Sequence, residues 1–314
     1  MKITIIAPNS FGYIDFLIDA LKSKEGVDVS YINFSEFIYT YSSTFDKVKN
    51  AITKIIFKKN KKETYVSQCI VKSLLAKETQ DFIVVIRPDK LEKSTLFELK
   101  KRTKHFYAFY FDAISNFPKK VGLITLFDKV FSYEKEDVKT YKLEFITNYI
   151  YDFENSLDET REYKVFNISS YDERFTQLRD VAKYMKNHAI NYKIIVRKER
   201  VIVDEMVSIV PEYLPLEKVK QLLLKSEILL DIQKSNQKGL SFRVFEALGY
   251  EKKLITTNKY VAEYDFYSPN NILIIDPDNI QIPTSFLEGT YQTIPMAILY
   301  PYTMEGWIKK VFAI

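Results

Sequence analysis

Residues 228–257, ILLDIQKSNQKGLSFRVFEALGYEKKLITT, decide the fold. The apolar run Ile228, Leu229, Leu230 stops at Asp231 and reads as a buried strand. A loop of Gln, Lys, Ser and Asn follows. Gly239 opens a helix whose first turns carry Ser241, Arg243 and Glu246, and a second apolar strand covers residues 253–257. Strand, loop, helix and strand in this order build a parallel sheet. The arrangement sets backbone N–H groups, a guanidinium and a carboxylate at the carboxyl end of the sheet, where open α/β sheets bind ligands. A helix N-terminus at that place suits a phosphate.

The same alternation extends outward. In the first half, residues 2–8 and 27–33 read as strands and residues 37–57 and 64–77 as helices. Residues 82–86 form a wholly apolar run ending in Arg87-Pro88-Asp89, residues 91–103 are helical, and residues 105–111 are a strand ending at Asp112. Residues 129–133 and 145–149 read as further strands. A polar, acid-rich break covers residues 151–163. The pattern then restarts with a strand at 164–168, a helix at 172–187, a strand at 192–196, a helix at 216–225 and, after the opening motif, a strand at 271–275. The tail ends in a helix with Trp307, Ile308, Val311 and Phe312 along one side. The expectation is two α/β halves.

Residues 237–258 resemble the nucleotide-sugar site of GT-B glycosyltransferases, especially the bacterial enzymes of capsule and lipopolysaccharide synthesis and the CgeB-like group. The match falls on Glu246-Ala247-Leu248-Gly249 and Arg243, with weaker support at residues 169–174 and in the Trp307 tail. The resemblance implies an α/β GT-B fold, two Rossmann-like domains facing each other across a cleft. Residues 1–152 would be the acceptor domain and 153–294 the donor domain, with residues 295–314 crossing back onto the first. It implies metal-independent transfer of a sugar from a nucleotide diphosphate sugar to a hydroxyl of a surface-glycan or lipid-linked acceptor, with no cofactor beyond the donor.

In that family a glutamate holds the donor ribose, and the position here is Glu246, whose carboxylate can accept from both hydroxyls. Arg243 would clamp the diphosphate as a fixed guanidinium fork. Gly239, Leu240 and Ser241 would offer backbone N–H groups, Ser241 also as an N-cap. Gln237 and Lys238 would reach phosphate or sugar, and Arg197, Arg174 and Ser169 would line the site. Acceptor contacts would come from Asn9, Ser10, Phe11, Gly12 and Tyr13, with Asp89 beside them and Asp112 as general base or acceptor-orienting group. Plainer readings stand beside these. Arg243 and Glu246, three apart on a helix, also suit an internal salt bridge. Arg197 suits a basic turn, Asp172 a helix cap, and Asp89 and Asp112 turns. The chain has Lys238 where the retaining pattern has an acid, which leaves inversion and retention open. A non-catalytic nucleotide- or sugar-binding α/β protein is the alternative.

Composition bounds these readings. The 314 residues suggest about two domains, and 46% hydrophobic with 28% charged residues is ordinary for a soluble globular chain. Seven glycines leave no Gly-rich phosphate loop. One cysteine, Cys69, excludes an internal disulfide framework and a cysteine zinc site, and it reads as core filler. Two histidines, with no paired aspartates in a loop, predict no metal. The net charge of +5 is too small to argue for nucleic acid. No apolar run approaches the roughly 20 residues of a membrane span, so a cytoplasmic location is expected. Residues 46–62 concentrate seven lysines, while Phe45, Val48, Ile52, Ile55 and Ile56 recur at helical spacing. Lys47–Lys62 is therefore either a peripheral docking element for anionic lipid at the inner membrane face, or a core-packed helix with a solvated lysine face.

Overall fold

The structure, a computed structural model, describes residues 1–57, 60–75, 77–154 and 161–314. The chain divides into two compact units, Met1–Ile146 and Thr147–Ile314.

Among its described residues the first unit holds six parallel strands: β1 (Lys2–Ala7), β2 (Asp28–Asn33), β3 (Gln80–Ile86), β4 (Thr103–Tyr110), β5 (Lys129–Ser132) and β6 (Glu144–Phe145). Their order is β2-β1-β3-β4-β5-β6. Five α-helices accompany them: α1 (Tyr13–Lys22), α2 (Thr44–Phe57), α3 (Lys61–Leu75), α4 (Lys93–Lys100) and α5 (Lys135–Tyr141). Ile3, Ile5 and Ile6 of β1 and Ile83 to Ile86 of β3 are fully buried. Such near-continuous apolar strands are what a parallel sheet covered on both faces requires.

The second unit repeats the plan with β7 (Tyr163–Ser170), β8 (Tyr192–Arg197), β9 (Ser208–Val210), β10 (Ser226–Asp231), β11 (Lys253–Thr256) and β12 (Ile272–Ile274). The order is β12-β11-β10-β7-β8-β9, again all parallel. Its helices are α6 (Phe175–Asn187), α7 (Leu216–Leu224), α8 (Phe242–Gly249), α9 (Thr284–Glu288), α10 (Met296–Leu299) and α11 (Met304–Phe312). Both sheets grow outward from their first strand in two directions. Each therefore has a topological switch point, β1/β3 in the first unit and β7/β10 in the second, with a crevice at the carboxyl ends of those strands.

Several elements differ from the sequence reading. The helix expected over residues 37–57 starts only at Thr44, because Tyr39 and Tyr41 fold back to hydrogen bond Asp46 and Asn50. Helix α1 was not anticipated, although Ile14, Leu17, Ile18 and Leu21 carry its buried stripe. The helix expected from Gly239 begins at Phe242. Cys69 is half-buried. Strand β6 is two residues long where residues 145–149 were expected. The chain turns away because Ile150 pairs with Thr303 of the tail, its N–H donating to the Tyr302 carbonyl at 2.7 Å. The Tyr149 ring also meets Trp307, with centroids 5.6 Å apart. The tail helix α11 thus docks on residues 149–150, inside the second unit. Among the described residues no helix is long and apolar enough to cross a membrane.

Candidate functional site

The β7/β10 switch point of the second unit gathers most of the donor candidates. Strand β10 ends at Asp231, which pairs in register with Thr256 of β11. Asp231 is buried, and its two oxygens accept from Ser241 Oγ at 2.8 Å and Thr256 Oγ1 at 2.9 Å. Ser241 holds the N-cap position of α8, yet its hydroxyl is turned to Asp231 rather than to the helix N–H groups. The cap expected from sequence is a tether between loop and strand.

The loop between β10 and α8 is tied from two sides. Gln233 Nε2 donates to the carbonyls of Gln237 (2.9 Å) and Gly239 (3.2 Å). Buried Asn258 donates to the carbonyl of Lys238 at 3.1 Å and accepts from Tyr260 N–H. Asn148 donates to the carbonyl of Leu240, a residue packed in the core. Those hydrogen bonds draw the carbonyls inward and fix the path of the loop. Gln237 and Lys238 remain half-exposed on it. The Lys238 ammonium lies 5.2 Å from the Tyr260 ring centroid.

Two arginines cross the crevice itself. Arg174 grips Asp172 with Nε and Nη2 and reaches over to the Ile232 carbonyl at 3.1 Å. Burial favours the uncharged acid at Asp172, but the Arg174 hydrogen bonds outweigh it and hold the carboxyl below its ordinary value. Asp172 therefore orients Arg174 as well as the turn into α6. Arg243 sends Nη2 to the Ile168 carbonyl, 3.2 Å away on β7. Its Nη1 lies 2.5 Å from Glu246 Oε2, while Tyr151 donates to Glu246 Oε1 at 2.8 Å. The Glu246 side chain is fully buried. The internal salt bridge that the i, i+3 spacing allows is thus present. Ser169 is half-buried on β7, in register with Val196 of β8. Arg197 ends β8, two strands from β10, and stacks on the Tyr213 ring at 4.5 Å. Its Nε donates to the Pro211 carbonyl.

Sequence reasoning missed Gln233, Asn258, Tyr151 and Asp231 as members of this cluster. Their contacts are made at a distance along the chain, and only the flanking of a polar loop by amide side chains hints at the first two. Asn167 was missed as well. It is a buried polar residue inside β7 that donates to the Leu230 carbonyl, while its Oδ1 meets no hydrogen-bond partner among the described residues.

In the first unit the acceptor candidates flank the β1/β3 switch point. Asn9 donates its N–H to Ser35 Oγ, and Ser10 to the Pro8 carbonyl. Phe11 and Gly12 then take successive left-handed conformations, φ 58° and 88°, which swing the chain into α1 at Tyr13. Such a conformation is costly for a bulky residue such as Phe11, which is 57% exposed. Across the crevice Arg87, also left-handed at φ 63°, grips buried Asp89 with two hydrogen bonds of 2.9 Å. Its Nη1 reaches Asp112 at 2.5 Å, one strand further along. Asp89 and Asp112 are therefore bound into one ion cluster around Arg87.

Neither a protein-family model nor a curated protein matches the sequence. Solved structures do match over the whole chain. An α,α-trehalose-phosphate synthase (UDP-forming) from Burkholderia vietnamiensis aligns with TM-score 0.60 at 10% identity, covering 99% of this chain and 98% of its own. AviGT4, a glycosyltransferase involved in avilamycin A biosynthesis, gives 0.59 at 9% identity, with 99% and 95% covered. A UDP-GlcNAc 2-epimerase from Neisseria meningitidis, solved with UDP-GlcNAc bound, gives 0.58 at 10% identity, with 100% and 99% covered. The fold is α/β of the GT-B type, built from two Rossmann-like units.

Proposed function

We propose that the chain is a glycosyltransferase that takes its sugar from a nucleotide diphosphate donor bound by the second unit. The observation that carries this reading is the pre-tied loop of residues 232–241 at the β7/β10 switch point. There α8 begins, Arg174 and Arg243 send guanidinium groups to the carbonyls of Ile232 and Ile168, and Lys238 stands half-exposed on the loop itself. A leaving diphosphate is stabilised by fixed N–H groups and cations that need no reorganisation as charge develops. Lys238 and the half-exposed loop backbone are the direct contacts in this reading. Arg174 and Arg243 act from below, oriented by Asp172 and Glu246. The buried Glu246 then holds Arg243 in position rather than the ribose itself. Support for a surface-glycan acceptor is the resemblance of residues 237–258 to capsule and lipopolysaccharide enzymes. In the first unit Arg87 fixes the direction of the Asp112 carboxylate, which suits that group to orienting an acceptor hydroxyl.

The test is turnover. The full chain is incubated with UDP-, GDP-, dTDP- and ADP-linked sugars, with and without glycan acceptors, and nucleoside diphosphate release is followed. Acceptor-stimulated release supports transfer. An altered sugar still attached to its nucleotide would instead make the chain an epimerase, the activity named for one structural neighbour. Binding without turnover would make it a non-catalytic member of the same fold.

A further inference from the structure

Helix α2 is mounted inside out. Two of its polar residues face the protein: Asn50 is 5% exposed, donates to Tyr41 Oη at 2.8 Å and accepts from Lys61 N–H at 2.9 Å. Asp46, one turn earlier, accepts from Tyr39 Oη at 3.0 Å and pairs with Lys61. The apolar residues face outward. Phe45 is 77% exposed, Ile55 80% and Ile56 63%, with Val48 and Ile52 at 51% each. At about 100° per residue these five fill an arc of roughly 100°, and Asp46 and Asn50 lie roughly opposite it. The stripe that the sequence left open to core packing is therefore unburied. A stripe of this size on a helix surface marks an interaction site.

We propose that α2 lies flat on an anionic lipid bilayer and inserts Phe45, Val48, Ile52, Ile55 and Ile56 below the headgroups. Charge selects this occupant. Lys49 borders the apolar arc, Lys47 and Lys54 project from the far side of the helix, roughly 130–150° from the arc's centre, and all three are exposed. The one acid of the helix, Asp46, is turned inward and already paired. Lys49, beside the inserted stripe, keeps its head at the phosphate level, and Lys47 and Lys54 add an exposed positive charge that anionic lipid attracts. A second copy of this chain would offer the same acid-free face, so no opposite charge would meet Lys49, which argues against a symmetric dimer on this face. The hydrogen bonds of Asp46 and Asn50 fix which side of the helix is presented, so the surface is preformed.

The experiment is co-sedimentation of the full chain with vesicles of phosphatidylcholine alone or with phosphatidylglycerol added. Binding is expected to the mixed vesicles, to fall with added salt, and to drop at least tenfold in the double variant Ile55→Glu, Ile56→Glu. Because both side chains are exposed, that variant is expected to melt at the wild-type temperature. A triple variant, Lys47→Gln, Lys49→Gln, Lys54→Gln, is expected to lose the preference for anionic vesicles. Absence of binding to either vesicle would overturn the proposal. So would binding that both variants retain. A dimer in analytical ultracentrifugation that Ile55→Glu, Ile56→Glu dissolves, with no vesicle binding, would overturn it in favour of a second copy.

Discussion

The Glu246 carboxylate has no exposed surface and meets Arg243 on one oxygen and Tyr151 on the other. Removing one partner of a buried ion pair strands the other charge, a loss of about 3–5 kcal/mol. Glu246→Ala is therefore expected to lower unfolding stability by about that amount in urea denaturation. A paired replacement, Arg243→Met with Glu246→Leu, should recover much of it. A loss for Glu246→Ala below about 1 kcal/mol would contradict the structural role. Gly249, the small residue that closes the Glu246-Ala247-Leu248-Gly249 pattern, is explained at the same scale. A Cβ there would lie 2.4 Å from the Asp152 carbonyl oxygen and 2.6 Å from Ile150 Cγ2. Gly249→Ala should cost about 1–3 kcal/mol by overpacking, read as a lowered melting temperature. The motif residues were legible in the sequence, but their partners were not. Tyr151 lies 95 positions from Glu246 and in a stretch that reads as a polar break.

Among elements, the loop between β10 and α8 and the turn before α6 carry the proposed donor site. Asn258→Ala removes the inward pull on the Lys238 carbonyl and frees the loop. Nucleoside diphosphate affinity is expected to fall about tenfold, or ~1.4 kcal/mol, in a calorimetric titration. Unchanged affinity would detach the loop's shape from binding. The Asp172–Arg174 pair adds a pH dependence. The folded pKa of Asp172 is depressed, so its contribution is present above the unfolded value of about 3.9 and disappears as pH falls through the folded value. Asp172→Asn should lose about 1 kcal/mol at neutral pH and flatten the acid limb of the stability curve below about pH 4. Strand positions were read well from apolar runs such as residues 228–230, because burial on both faces leaves a pattern that neighbours in the chain reveal. The late start of α2 was not legible. It depends on Tyr39 and Tyr41 competing for the chain by side-chain hydrogen bonds, and a helical period continues through that stretch regardless. Short β9, at residues 208–210, has too few residues to show any period.

For the whole molecule, the strand orders carry the functional reading. Each unit places its candidate residues at the one crevice its topology opens, β1/β3 for Asn9–Tyr13 with Asp89, and β7/β10 for residues 232–243 with Arg174. The first β-α-β motif predicted that edge because strands of a parallel sheet all end on the same side. Which two strands flank the crevice depends on the order of the sheet, and nothing local encodes it. The direct measurement is a titration of the full chain with UDP, GDP, ADP, CDP and dTDP, followed by thermal denaturation. One of them should raise the melting temperature, with about 2.7 kcal/mol of stabilisation at a hundredfold excess over its Kd. The Lys238→Glu variant should abolish that shift while melting unchanged in the absence of ligand. No shift with any diphosphate at millimolar concentration would contradict a nucleotide-sugar site in the second unit.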